Sequence, residues 1–302
     1  MSIKVENVTK LYGKQKALNN ISFKIGTGEI VGFLGPNGAG KSTIMKIICS
    51  YITQSEGNVE VCGLNVIEES IASKNKIGYL PEHNPLYLDM YVKEFLSFIS
   101  DIHKIKNKEE RINEMIEVTG LTPEKNKKIN ELSKGFRQRV GIASALIHDP
   151  EVLILDEPTT GLDPNQLKDI RNLIKEIGKS KTIMLSTHIM QEVEAICDRV
   201  IIIKQGEIVA DNDISSLRNT NEVFVEIELE KEINQDLFNE LEHVLNIQKI
   251  NDNKFIIKAS FDIRPLISQL VIKEGNLVLT MQLKENNLEE IFQNLTENDI
   301  ND

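Results

Sequence analysis

The sequence predicts an α/β fold with a mostly parallel sheet, followed by a smaller α+β domain. Three observations carry this. Apolar strand-like runs alternate with helical segments between residues 30 and 203, as parallel strands joined by crossover helices require. A G-x-x-x-x-G-K-S stretch lies between the first of those runs and its helix. After Asp211 the order changes to β-α-β-β-α-β, a ferredoxin-like split βαβ pattern.

The elements follow in order. Ile3 to Leu11 and Ala17 to Ile25 alternate apolar and polar residues and read as strands, with Tyr12-Gly13 in the turn between them. Ile30 to Leu34 is an apolar strand and Ile44 to Ile48 the start of a helix. Gly57 to Val66 reads as a hairpin turning at Gly63, and Lys76 to Leu80 as a strand ending at Pro81. Pro81-Glu82-His83-Asn84-Pro85 suits only a fixed loop. Val92 to His103 and Glu109 to Val118 have helical spacing, with Gly120 and Pro123 as stop signals. Asn130 to Gly135 is expected as a loop and Phe136 to Ile147 as a helix. Glu151 to Leu155 and Thr182 to Leu185 carry large or branched apolar residues in succession with no alternation, the mark of buried strands. Gln166 to Ile177 and Met190 to Cys197 read as helices, and Val200 to Ile203 as a last apolar strand. In the second domain Val223 to Leu229 alternates, Ile233 to Leu245 reads as a helix, and Ile247 to Ile250 with Phe255 to Ala259 as a hairpin. Ile263 to Lys273 is helical, Leu277 to Leu283 alternates, and Leu288 to Leu295 is amphipathic.

Composition narrows the function. The 302 residues, 40% hydrophobic and 27% charged, are an ordinary globular composition. No apolar run approaches the ~20 residues that cross a bilayer, and MSIKVENVTK lacks the apolar core of a signal peptide. A cytoplasmic location is expected, with any membrane role through a partner. Cys49, Cys62 and Cys197 are odd in number, far apart and among apolar residues, so buried free thiols are expected. Residues 220–302 hold 17 acidic and 7 basic residues, a net charge of −10, whereas residues 1–219 hold 29 and 28. That balance argues against a nucleic-acid partner.

The chemistry starts at Gly35-Pro36-Asn37-Gly38-Ala39-Gly40-Lys41-Ser42-Thr43. Between a strand and a helix, this spacing is that of a P-loop: backbone N–H groups and the helix N-terminus face phosphate, Lys41 adds a cation, and the Ser42 hydroxyl suits Mg²⁺. A nucleoside triphosphate is therefore the expected ligand. Asp156-Glu157 follows an apolar strand, as in a Walker B segment, so Asp156 can share Mg²⁺ with Ser42 and Glu157 can act as general base on water. Read without the P-loop, the same pair is a plain helix start. Ser133-Lys134-Gly135 precedes a helix; it reads as an N-cap or as a second anion site serving the partner in a head-to-tail dimer.

With these residues in place, positions 1 to about 215 resemble the nucleotide-binding subunit of ABC transporters. Leu132-Ser133-Lys134-Gly135-Phe136-Arg137-Gln138-Arg139 is similar to the family signature LSGGQ-x-Q-R, departing at Lys134 and Phe136 and keeping Ser133 and Gly135, which the family uses on γ-phosphate. Gly161-Leu162-Asp163 resembles the D-loop of the dimer interface, and His188 the switch histidine that reaches γ-phosphate. Tyr12 matches the aromatic residue that stacks on adenine; without the resemblance it is a surface tyrosine in a turn. Glu82 stands where the family usually has glutamine, and its carboxylate can ligate Mg²⁺ or hold the water. Glutamate there is familiar in ABC-2-type exporters, as is a C-terminal motif like Asn287-Leu288-Glu289-Glu290-Ile291-Phe292. GYLPEHNPLY, LSKGFRQRVG and LDEPTTGLDPNQ most resemble the ATP-binding subunits of gliding-motility transporters of Bacteroidetes.

The resemblance implies a P-loop NTPase of the ABC ATPase type over residues 1–217, with a helical subdomain at about 88–150, and an acidic accessory domain over 218–302. It implies ATP and Mg²⁺ as cofactors. It further implies a second nucleotide-binding subunit, most simply an identical one, and an integral membrane permease that holds the protein on the cytoplasmic face of the inner membrane. The competing function, a soluble ABC-type ATPase acting on ribosomes or DNA, usually brings two P-loops or a long coiled coil with basic surfaces. This chain has one P-loop, no heptad run and an acidic second domain. A metabolic kinase leaves Ser133, Gly135 and His188 unexplained.

Overall fold

Ile30–Leu34 is buried along its whole length, and the sheet around it positions the site. In the computed structural model, which describes residues 1–218, 223–239 and 241–284, the chain falls into two compact units that divide at Ile214 and Ser215. The first unit contains, in chain order, β1 (Ile3–Tyr12), β2 (Gln15–Ile25), β3 (Ile30–Leu34), α1 (Lys41–Ile48), β4 (Glu56–Val61), β5 (Leu64–Asn65), α2 (Ser70–Asn75) and β6 (Ile77–Leu80). It continues with α3 (Val92–Ile102), α4 (Lys108–Val118), α5 (Lys134–Leu146), β7 (Val152–Asp156), α6 (Pro164–Gly178), β8 (Thr182–Thr187), α7 (Met190–Ile196), β9 (Arg199–Lys204) and β10 (Glu207–Asp213). The short α8 (Ile214–Arg218) follows at the division.

Two sheets result. One has the order β10-β9-β3-β8-β7-β6, parallel from β9 through β6, with β10 antiparallel at the edge. The other, β2-β1-β4-β5, is antiparallel. Phe23, Phe33, Ile44, Ile47, Val59 and Ile201 belong to one buried cluster that joins both sheets and α1. The parallel register sets the chemistry. Leu34 pairs with Thr187, Asp156 with Ser186 and Leu80 with Leu155, so the residues just after β3, β6, β7 and β8 emerge at one sheet edge, where ligands of open α/β sheets bind.

Several expectations are corrected. Tyr12 is the last residue of β1, and the turn is Gly13-Lys14. The helix expected from Phe136 starts at Lys134, because the Ser133 side chain accepts from Phe136 N at 3.4 Å and caps it; Gly135 therefore lies in the first helical turn. β10 was not read from the sequence. One face is exposed and the other is half-buried only at Ile208 and Ala210, so the apolar alternation is short, but Gln205 and Gly206 both have φ > 0, as a two-residue hairpin turn demands. Cys49 and Cys197 are buried free thiols, whereas Cys62, at the β4–β5 turn, is only half-buried.

The second unit comprises β11 (Val223–Leu229), α9 (Asp236–Asn239), β12 (Val244–Asn251), β13 (Lys254–Ala259), α10 (Arg264–Lys273) and β14 (Val278–Lys284). Its antiparallel sheet has the order β12-β13-β11-β14, with β13 inserted between the two strands of the first βαβ unit. The helix expected over Ile233 to Leu245 is reduced to one turn. His243 adopts φ 74° and Val244 pairs with Ala259, so strand pairing overrides the helical spacing, while Phe238 still reaches the core. Val225, Ile227 and Leu229 face that core. The opposite face carries the Lys254–Glu226 ion pair (2.7 Å) and Lys258 over the Phe224 ring, a polar surface that water satisfies. The amphipathic stretch Leu288 to Leu295 and the motif at Asn287 to Phe292 lie outside the described residues. Among the described residues, no helix is long and apolar enough to cross a membrane.

His148, just after α5, stacks flat on His103 with ring centroids 4.1 Å apart. Its Nε2 donates to Ile77 O at 3.0 Å. Burial pushes the His148 pKa down to about 4, and His103 adds to the shift, from an ordinary value near 6.5. The unfolded chain therefore takes up this proton first. The stability linked to it is present above pH ~6.5 and is lost as pH falls toward about 4. The expected result is a melting temperature that drops across this window in the wild type and drops less in His148→Phe. Equal drops in thermal melts of the two proteins would contradict the assignment.

Candidate active site

The phosphate loop is built by a strand that ends and a helix that begins. Gly40, the residue before α1, has φ 112°, a conformation open to glycine, and a Cβ there would lie 2.7 Å from Ala17 O. Lys41 is buried and reaches back across the loop, donating to Gly35 O (2.7 Å) and Pro36 O (3.2 Å). Its ammonium lies 3.8 Å from Glu157 Oε1. Burial lowers the Lys41 pKa, with Glu157, Asp156 and Glu82 opposing the shift. The loop thus holds a desolvated cation that an incoming anion would stabilise.

At the end of β7, Asp156 Oδ1 accepts from Ser42 Oγ (3.1 Å) and from Ser186 Oγ (2.6 Å). The Ser42 hydroxyl at the start of α1 and the Asp156 carboxylate at the end of β7 make a hard oxygen pair. Among the described residues no group of three or more His, Cys, Asp and Glu is placed to hold a metal. The pair suits a cation that takes its remaining ligands from phosphate and water, as Mg²⁺ does.

Glu157 is held on several sides. Its N–H donates to Ser186 Oγ (2.9 Å) and its Oε2 accepts from Thr160 Oγ1 (2.9 Å). His188 Nδ1 lies 3.1 Å from both of its carboxylate oxygens. Its backbone has φ 51°, a conformation that costs a non-glycine residue on the order of 1–3 kcal/mol and persists only where the surroundings enforce it. A carboxylate so fixed, beside a histidine and facing a phosphate loop, can orient and deprotonate a water.

A cavity of about 390 Å³ gathers Asn37, Gly38, Gly40, Lys41, Ser42, Thr43, Glu82, Glu157, Thr160 and His188. It brings together six of the nine expected loop residues with Glu157, His188 and Glu82, while Gly35, Pro36, Ala39 and Asp156 are not in its lining. Ser133 and Gly135 are not in its lining; they sit at the N-terminus of α5. Tyr12 is also outside it, half exposed, with the Lys10 ammonium 5.1 Å from its ring centroid. The sequence reading missed Thr160 and Ser186. Both stand within segments already singled out, Thr160 three residues after Glu157 and Ser186 two before His188; the pairing of Ser186 with Asp156 and the Thr160 bond to Glu157 are what turn their hydroxyls inward.

The family model described as "ABC transporter" matches residues 18–160. The chain is 35% identical to the linearmycin resistance ATP-binding protein LnrL of Bacillus subtilis (strain 168), covering 97% of this chain and 98% of that protein. It is 32% identical to the bacitracin transport ATP-binding protein BcrA of Bacillus licheniformis, covering 97% and 96%. Among solved structures, the dimeric ATP-binding cassette MJ0796, in a post-hydrolysis state with ADP and Pi, aligns over 70% of this chain and 98% of its own at 29% identity with a TM-score of 0.64. The P-loop fold, the cavity at its strand ends and relatives that match nearly end to end agree: the chain is an ABC ATPase and belongs to the ATP-binding subunits of ABC transporters.

Proposed function

We propose that two copies of this chain bind and hydrolyse ATP at composite sites and thereby energise a membrane permease of the ABC-2 exporter type. One observation carries the reading: the cavity of a single chain holds the phosphate loop, Glu157 and His188, while Ser133 and Gly135 lie elsewhere. A head-to-tail partner supplies them, its α5 N-terminus facing the γ-phosphate. Ser42 and Asp156 hold Mg²⁺, with Glu82 reaching the ion or its water. Bound Mg²⁺ supplies charge neutralisation on the β- and γ-phosphates. Lys41 binds the phosphates, Glu157 takes a proton from water, and His188 fixes Glu157 and contacts γ-phosphate. Tyr12 stacks on adenine. The accessory domain from residue 218, ferredoxin-like in its strand order, takes no part in hydrolysis.

Export is supported by Glu82 and by the relatives' names, one for linearmycin resistance and one for bacitracin transport. Gliding motility is a narrower possibility supported only by the three sequence segments quoted above. The permease places the protein on the cytoplasmic face of the inner membrane. Its docking surface is the loop from Glu82 to Asp89 with α3 and α4. There Tyr87 and Leu88 are 55% and 45% exposed, and Tyr87 packs edge-on against Phe95 and Phe98, an apolar patch of the kind that marks interfaces. Tyr87→Asp or Leu88→Asp should release the protein from membranes while sparing ATP binding. Membrane fractionation that finds either variant retained at the wild-type level would count against the reading.

A further inference from the structure

Glu192 is a charged side chain in the interior of the first unit, 1% exposed on α7. An ionised or polar group so buried is costly unless it is bonded, and this one has two donors. Its Oε2 accepts from Thr159 Oγ1 and from Thr187 Oγ1, the latter at 2.9 Å. Thr187 Oγ1 in turn accepts from Ile189 N at 3.1 Å. Oε1 is buried and makes no hydrogen bond.

The two threonines come from different segments. Thr159 lies in the turn after β7, two residues after Glu157, and Thr187 is the last residue of β8, immediately before His188. A single carboxylate therefore ties the turn that follows the base to the strand end that leads into the histidine. The tie lies behind the 3.1 Å contact between His188 and Glu157, and Glu157 keeps a left-handed backbone (φ 51°) that needs external support. We propose that Glu192 is a positioning residue for hydrolysis: through Thr159 and Thr187 it sets the separation and orientation of Glu157 and His188. This rests on the assignment of those two residues to the reaction.

A displacement of about 1 Å at a reacting group can lower a rate on the order of 10²-fold. In the full-length protein, Glu192→Ala should lower kcat by about 10–100-fold, with KM and affinity for a fluorescent ATP analogue unchanged within about twofold. Thr159→Val and Thr187→Val, each removing one hydroxyl at nearly constant volume, should fall between it and the wild type. The decisive comparison is a double-mutant cycle. If Glu192 acts through His188, adding Glu192→Ala to His188→Ala should cost less than about threefold more, whereas independent effects multiply. Multiplicative losses, an unchanged kcat, or a KM or affinity change as large as the kcat loss would each overturn the proposal. Should Glu192→Ala not fold, the two threonine variants in the His188→Ala background make the same comparison. Glu157→Gln run alongside separates the two layers. If Glu157→Gln keeps full turnover, the assignment of the base fails. If it loses turnover while Glu192→Ala keeps it, only the positioning role fails.

Discussion

Glu157→Gln should lower ATP turnover by about 10²–10⁴-fold, the usual contribution of a general base, and leave nucleotide affinity within about twofold. The substitution keeps the size of the side chain and one oxygen for Thr160 and His188, so the fold and the phosphate loop are undisturbed. What it removes is the basic oxygen proposed to take the proton from water. The neighbouring carboxylates stand differently: Asp156 is engaged by the hydroxyls of Ser42 and Ser186, and Glu82, which also lines the cavity, comes from a different strand end, after β6. Steady-state phosphate release paired with equilibrium nucleotide binding checks this. Equal losses in both measurements would mean that Glu157 shapes the pocket instead of acting on water.

Lys41→Ala should have the opposite signature, weakening ATP itself by roughly 10–100-fold, which corresponds to about 1.4–2.8 kcal/mol. That is the range of one or two hydrogen bonds to a charged group. Lys41 is buried at the floor of the loop and contacts Glu157, so its removal also leaves that carboxylate without its nearest cation. Turnover then falls chiefly through KM at low ATP. Binding by isothermal titration at several ATP concentrations separates the cases, and an unchanged dissociation constant would remove Lys41 from the phosphate site.

The legible parts of this protein are those in which local chemistry and tertiary role coincide. Ile30–Leu34, Val152–Asp156 and Thr182–Thr187 are buried on both faces, so their apolar runs mark them, and the chemical residues follow each run directly. The glycine-rich loop is recognisable because its backbone shape restricts composition. Illegible parts are those decided by partners far away in sequence. The residues from Ile233 to Leu245 have helical spacing, yet pairing of Val244 with Ala259 takes part of them into a strand. Thr159, Thr187 and Glu192 are unremarkable in sequence and meet only because β7 and β8 are adjacent and α7 folds back behind them. The same adjacency turns Ser186 toward Asp156. The residues of the phosphate-loop segment are readable from local pattern, whereas Thr159, Ser186, Thr187 and Glu192 come together only through tertiary packing.

A site completed by a second copy of the chain makes a firm demand on the molar mass of the Glu157→Gln protein in solution, read by sedimentation or light scattering with and without Mg-ATP. Because hydrolysis is blocked, the closed pair should accumulate: one chain without nucleotide, two chains with it, and a shift back toward one chain when Ser133→Ala is added. An ATP-saturated Glu157→Gln protein that stays at the mass of a single chain would contradict the account.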